Sequence, residues 1–351
     1  MSRVGIREVA VLAGVAVGTV SHYLNHPDKV SDEKATRIRA AIETLGFVPN
    51  NAGRQLRLGR SSAIAYIAPD VSNPFFAEIA ESVERRASER GVSVFIANSH
   101  RSREREDAYL ALFEQHQVLG LLVASHEPIE DRLARSRQRG TPSVLVGQAA
   151  ISPEQPSVSL DDVSGGRQAA RHLLELGRRR LAFIGGPLGI RQIGDRLTGA
   201  SDEVSKAGNA TLEVINATDR TLRGGRQAGE ALLARPAELR PEGIFAVNDL
   251  LALGMMQVLF EGGVRIPEDI ALVGYDDIEF GEASLIPLTT VRGRHEEFGS
   301  TVVDLLFEVV VGQPSEPIHR VFTPELVVRA SSAGSSAMSD AARRAIAGSS
   351  D

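Results

Sequence analysis

Ile6-Arg7-Glu8-Val9-Ala10-Val11-Leu12-Ala13-Gly14-Val15-Ala16-Val17-Gly18-Thr19-Val20-Ser21-His22-Tyr23-Leu24-Asn25 holds two helical periods with a glycine between them. Ile6, Val9, Ala10 and Ala13 recur at i, i+3, i+4 and i+7, which is one apolar face of a helix, and Gly14 can end that helix in a left-handed cap. Val15 anchors the turn. A second helix over residues 16–25 turns Val20 and Leu24 inward and leaves Val17, Gly18, Ser21 and His22 outward. Two helices joined by a glycine-containing turn form a helix-turn-helix. Further on, Ser31 is placed to cap a third helix, with Asp32 and Glu33 in its positive first turn, Ile38, Ala41, Ile42 and Leu45 as its buried stripe, and Gly46 at its end.

Charge separates this head from the rest of the chain. The net charge is −6, yet residues 1–60 hold nine Lys/Arg against five Asp/Glu, so a head of +4 precedes a remainder of −10. A basic head on an acidic body suits a polyanionic partner at one end only. The 351 residues suffice for two or three packed units, and 42% hydrophobic with 24% charged residues is the composition of a folded chain without a membrane span. No secretory leader is legible at the N-terminus and there is no cysteine, so the expected compartment is the cytoplasm.

From Ser62 the pattern changes to short apolar runs alternating with helices, as in parallel sheets covered on both faces. Residues 64–68, 92–97, 120–124 and 143–146 read as strands of one lobe, with helices over 75–89 and 104–115. Residues 181–184, 243–247 and 270–273 read as strands of a second, with helices near 197–206, 224–233 and 250–260. Two α/β lobes imply a cleft, and polar groups at strand ends are where such sheets bind ligands. Asn73 with Phe75-Phe76, Arg196 after Gly194-Asp195, Asn248-Asp249 and Asp276-Asp277 stand out there, although Asp249 and Asp277 also read as helix N-caps. The Ser/Ala/Arg-rich stretch from Ser331 reads as a disordered tail without a tetramerising coiled coil.

The head segments Ile6 to Ala10, Ala13-Gly14-Val15, Gly18 to Asn25, Val30-Ser31 and Leu45-Gly46-Phe47-Val48-Pro49-Asn50 closely resemble the lactose-repressor/galactose-repressor (LacI/GalR) family. Ala52-Gly53-Arg54-Gln55-Leu56 resembles that family's hinge helix, and Pro69-Asp70-Val71-Ser72-Asn73-Pro74-Phe75-Phe76 the opening of its effector domain. The resemblance implies a helix-turn-helix domain over 1–48, a hinge over 49–60, and an effector-binding and dimerising body over 61–332 with a two-lobed, periplasmic-binding-protein-like core crossed by three connections. Residues 333–351 would be the tail. It further implies a homodimer on a palindromic double-stranded DNA operator, most simply a repressor released by a small molecule.

By position, Val17, Gly18 and His22 would read bases in the major groove, while Thr19, Ser21, Asn25, Ser31, Lys34 and Arg54 would meet phosphates. Leu56 would wedge open the central base step from the minor groove. Effector contacts would fall at Asn73, Phe75 or Phe76, Arg196, Asn248 and Asp276, with Ser125, His126, Ile190, Gln192 and His295 where members tune specificity. A carboxylate, an amide and a guanidinium beside an aromatic face suit a sugar-like effector, with no cofactor and no metal. This chain departs from the family pattern in His22, where Arg is common, in Ala16, where many members have a hydroxyl, and in Gly53, where a better helix former is usual; Gly18 offers no side chain to a base.

Enzyme readings are thin. Gly189 and Gly194 have phosphate-loop spacing, but Asp195-Arg196 stands where Lys-Ser/Thr is required, and His295-Glu296-Glu297 lacks the second histidine of a zinc-protease helix. A solute-binding protein for transport would share the body but has no use for residues 1–60.

Overall fold

The structure, a computed structural model, describes residues 4–47, 63–217, 219–314 and 316–333. Its contacts divide the chain between Ser61 and Ser62. The expected phosphate contact Arg54 and the expected wedge Leu56 lie outside the described residues.

The first unit contains α1 (Ile6–Ala13), α2 (Val17–Asn25) and α3 (Asp32–Leu45). The periodic positions close a small core: Val9, Val20 and Ile38 are wholly buried, with Ala10, Ala13, Ala41 and Phe47 around them. Gly14 (φ 63°) and Gly46 (φ 59°) end α1 and α3 in left-handed caps, a conformation glycine adopts without Cβ strain. Ser31 occupies the N-cap position of α3, but its side chain makes no cap hydrogen bond, so the first turn relies on Asp32 and Glu33.

The second unit is built on two six-stranded sheets. One takes β1 (Ala63–Ala68), β2 (Ser93–Asn98), β3 (Leu121–Val123), β4 (Ser143–Val146), β5 (Ser157–Leu160) and β11 (His319–Phe322), in the order β11-β5-β4-β3-β1-β2. The other takes β6 (Arg180–Gly185), β7 (Thr211–Asn216), β8 (Gly243–Ala246), β9 (Ala271–Tyr275), β10 (Thr289–Arg292) and β12 (Glu325–Val327), in the order β12-β10-β9-β8-β6-β7. All pairings are parallel except that of β12 with β10. β1 reads Ala-Ile-Ala-Tyr-Ile-Ala and is buried along its whole length, as a strand covered on both faces must be. Helices α4 (Pro74–Glu89), α5 (Arg103–Gln115) and α6 (Glu130–Gln138) belong to the first lobe, α7 (Asp162–Glu175), α8 (Arg191–Ala207), α9 (Leu222–Leu233), α10 (Asp249–Glu261) and the short α11 (Glu279–Glu282) to the second. α12 (His295–Val310) packs back on α4. The chain therefore passes between lobes after β5, after β10 and again between β11 and β12, giving the three connections that the resemblance implied.

The second lobe's helices pack in pairs at close range. A Cβ on Gly166 of α7 would lie 1.9 Å from the Arg196 carbonyl oxygen of α8, and one on Gly199 would lie 1.9 Å from that of Val163. The contact fixes where α8 carries Arg196.

Three expectations are corrected. Asp249 is not a cap: Asn248 caps α10 by accepting from the Leu251 N–H at 3.1 Å, while Asp249 is wholly buried and accepts from the Thr290 hydroxyl (2.7 Å) and the Ile278 N–H (3.0 Å). Asp277 caps nothing either; it takes a left-handed φ of 56° and pairs with Arg329 at 2.6 Å. Nor does the tail begin at Ser331. The Ser331 hydroxyl is buried, donating to the Leu272 carbonyl (2.7 Å) and accepting from the Thr289 N–H (2.8 Å), and that of Ser332 lies 2.6 Å from the Thr289 hydroxyl. These serines end the second lobe. No helix of the described residues is long and apolar enough to cross a membrane.

Candidate functional site

In the first unit, α2 keeps Val20 in the core and presents Val17 (42% exposed), Gly18 and His22 to solvent. Gly18 has open space where a side chain would stand. Ser31 and Lys34 are exposed; Thr19, Ser21 and Asn25 are half-buried at the flank, and the Asn25 amide donates to the Ser21 carbonyl at 2.6 Å. The His22 and His26 rings lie 5.3 Å apart, and among the described residues no group of His, Asp or Glu could hold a metal ion. An exposed face of one short helix with a small apolar, an empty and an imidazole position can enter a groove and meet base edges.

In the second unit, a cleft of about 890 Å³, part of it continuous with solvent, opens at the strand ends between the two sheets. Phe75 and Phe76 form one wall, their rings edge to face at 5.0 Å, on the first turn of a helix whose N-cap, Asn73, accepts from the Phe75 N–H at 3.1 Å. Arg196 stands opposite. It does not follow a strand, as the sequence suggested, but projects from the second turn of α8. Its Nε donates to Asp162 at 2.8 Å, a terminal nitrogen donates to the Val247 carbonyl at 2.6 Å, and its guanidinium lies 3.4 Å from the Tyr275 ring centre. Burial works against its charge, but Asp162, Tyr275 and Asp276 outweigh burial and hold it firmly protonated.

Asp276 lies 3.9 Å from Arg196, and among the described residues its carboxylate accepts no hydrogen bond. Its φ of 105° is left-handed, a strained setting for a residue with a side chain. Asn248, by contrast, has its amide committed, donating to the Arg220 carbonyl at 3.1 Å besides capping α10. Ser125 lines the cleft, yet its hydroxyl donates to Glu106 at 2.8 Å. His126, Ile190 and Gln192 also line it; the Gln192 amide donates to the Gly147 carbonyl at 3.2 Å and leaves its oxygen buried and unpaired. His295 stands behind the wall, against Phe75 at 5.2 Å and Glu78 at 2.7 Å. Sequence reading missed Asp162, Arg101 and Arg220, which line the same cleft. Asp162 could have been found as a polar residue just past β5, but that strand itself went unread.

Burial pushes the Asp276 carboxyl up to about 7, with the positive charge of Arg196 and the His295 ring opposing. The folded value exceeds the unfolded one, so the fold binds this proton more tightly than the unfolded chain does. Its contribution to stability is complete below the unfolded value and is lost as pH rises through about 7. Urea midpoints measured between pH 5 and 8 should therefore show wild type losing stability relative to Asp276→Asn as pH rises; parallel curves would mean that the carboxyl is not so displaced.

A helix-turn-helix unit followed by a two-lobed body with a polar cleft defines a DNA-binding regulator responsive to a ligand. Residues 5–50 match the family model for bacterial regulatory proteins of the lacI family, and residues 170–332 match the periplasmic binding protein-like domain. The chain is 33% identical over 331 residues to the ribose operon repressor of Escherichia coli K12, covering 93% of this chain and 99% of that one. It is 34% identical over 333 residues to the HTH-type transcriptional regulator CelR of Thermobifida fusca, covering 92% and 96%. The lac repressor dimer bound to operator and the anti-inducer ONPF has the same fold, with a TM-score of 0.80, 26% identity and coverage of 94% and 99%. The chain belongs to the lacI family of bacterial regulatory proteins, and is a transcription regulator rather than an enzyme.

Proposed function

We propose that the protein is a cytoplasmic, homodimeric repressor that leaves a palindromic operator when a sugar-like molecule enters the cleft of its body. The observation that carries the reading is the facing of Arg196 and the uncommitted Asp276 carboxylate by Phe75 and Phe76 across one cleft: a charged pair for hydroxyls and an aromatic wall for the ring's apolar face. A solved relative points the same way, the transcriptional regulator CelR in complex with cellobiose, at 33% identity and a TM-score of 0.68. Residues 1–48 would read DNA, 49–60 would form the hinge with Leu56 as the minor-groove wedge, and 61–332 would bind effector and dimerise. Support for pairing comes from the edge strand β2, where Phe95 is 47% and Ile96 50% exposed.

On the operator, Val17 and His22 would read base edges while Thr19, Ser21, Asn25, Ser31, Lys34 and Arg54 set the register. Asn73, Phe75, Phe76, Ser125, Arg196, Asn248, Asp276 and His295 are assigned to the effector side, directly or from behind the wall. A randomised-operator selection tests the DNA half. It should return a two-fold symmetric site, and His22→Arg should move preference towards guanine at one symmetric position by about 1–3 kcal/mol, because Arg makes two bonds to guanine where His makes one. Recovery of an asymmetric half-site, or an unmoved preference, would overturn it.

A further inference from the structure

We infer that the ligand of this cleft carries a negatively charged group, a phosphoryl or a carboxylate on a polyhydroxylated frame, and that Arg220 together with Arg101 receives it. The inference rests on reading the cleft as the effector site and adds the ligand's charge.

Three guanidinium groups line the cleft, and two have acidic partners: Arg196 meets Asp162 at 2.8 Å, and Arg101 meets Asp70 at 3.1 Å. Arg220, half-buried, has none. It donates to the Gly186 carbonyl at 2.8 Å and to His126 Nδ1 at 3.1 Å, and among the described residues it makes no ion pair. The adjacent Asp219 is shared among the Thr221 hydroxyl at 2.9 Å, Arg223 at 3.4 Å and Arg101 at 3.9 Å, and makes no hydrogen bond or ion pair to Arg220 among the described residues. Burial, then the charges of Arg101 and Arg196, outweigh the opposing charges of Asp219 and Asp276 and lower Arg220 to about 10, so it stays charged in the cell but is only partly compensated. His126 cannot share that charge, since burial and then Arg220 itself push it down to about 3. With Nδ1 accepting from Arg220, the neutral ring carries its proton on Nε2.

Two further features favour an anion. Helix α9 begins at Leu222, immediately after Arg220 and its cap Thr221, and so turns the positive end of its dipole to the same end of the cleft. Arg101 is delivered from the other lobe by consecutive left-handed residues, His100 at φ 50° and Arg101 at φ 61°, a conformation disfavoured for residues with a Cβ. A neutral hydroxyl could accept from Arg220 but would leave its charge only partly compensated, whereas an oxyanion makes the stronger, charge-assisted bond. Because Arg101 and Arg220 come from opposite lobes, an anion between them would also tie the lobes together.

The test is calorimetry on the full chain with matched sets: D-ribose, D-ribose 5-phosphate and D-ribonate; D-glucose, D-glucose 6-phosphate and D-gluconate; and inorganic phosphate alone. At least one anionic member should bind about 100-fold more tightly than its neutral parent, with the phosphate and acid arms telling which anion is taken. Arg220→Met should reduce that preference to about threefold or less, and Arg220→Lys should restore part of it. Without ligand, Arg220→Met should melt no lower than wild type, since an only partly compensated charge is removed; earlier melting would make Arg220 a structural brace and overturn the inference. It is also overturned if neutral sugars bind as tightly as their anionic partners, if no anionic sugar binds, or if inorganic phosphate alone binds as tightly as the anionic sugars. Should neutral sugars bind and release operator DNA, the proposed function stands and only the anion falls. Should neither class bind or release it, both fall.

Discussion

Arg196→Ala is expected to destabilise the body by about 3–5 kcal/mol and to abolish ligand binding with it. Arg196 is 8% exposed, and its guanidinium satisfies three groups at once: the Asp162 carboxylate, the Val247 carbonyl and the face of Tyr275. Truncation leaves Asp162 buried beside a void with no counter-charge, and the cost of one uncompensated buried ion exceeds the net worth of the pair. Removing both charges should therefore recover part of the loss. Urea unfolding of the body should rank wild type first, Arg196→Met with Asp162→Asn second and Arg196→Ala last. A single mutant within about 1 kcal/mol of wild type would show that the pair contributes little.

Gly166→Ala should be as severe, for a reason of space rather than charge. The new methyl would meet the Arg196 carbonyl oxygen at 1.9 Å and its carbon at 2.7 Å, and neither backbone atom can rotate aside as a side chain could. Overpacking in cores commonly costs about 1–3 kcal/mol; an obstacle made of backbone on the facing helix places this change at or above the upper end. α8 must shift, and Arg196 moves with it. The contrasting substitution is Gly18→Ala, where nothing lies within 4 Å and the gain in helix propensity should raise head stability by up to about 1 kcal/mol. Thermal melts of both variants distinguish the cases, and a Gly166→Ala protein that melts with wild type would mean the helices can part at little cost.

The head was legible almost residue by residue because its helices are amphipathic and end in glycines: α1 and α3 stop where Gly14 and Gly46 take left-handed φ values. Central strands such as β1, β4 and β8 were legible because burial on both faces demands an unbroken apolar run. The edges were not. β7 has no fully buried position, β5 reads Ser-Val-Ser-Leu, and β10 opens on two threonines whose hydroxyls are satisfied by groups about 40 residues away, which no local pattern reveals. In the cleft, Arg196, Asp276 and much of the lining were legible from polar strand ends and family resemblance, whereas Asp162, Arg101 and Arg220 were not. Arg220 is one arginine among many until His126, 94 positions earlier, is brought to it by the closing of the two lobes.

The last crossing also bears on how the protein is made. β11 completes the edge of the first sheet beside β5, and β12 completes the second beside β10, and only residues 323–324 separate them. As the ribosome extends the chain, residues 4–47 can fold as soon as they emerge, but the first lobe lacks its full sheet until Phe322 is available and the second until Val327. Through most of synthesis the nascent body therefore presents two open strand edges, the kind of surface that pairs with a neighbouring chain. A message cut short before His319 would yield a head able to fold and a body with both edges unfinished, so chaperone capture or aggregation, rather than a smaller working regulator, is the expected fate of the truncated product.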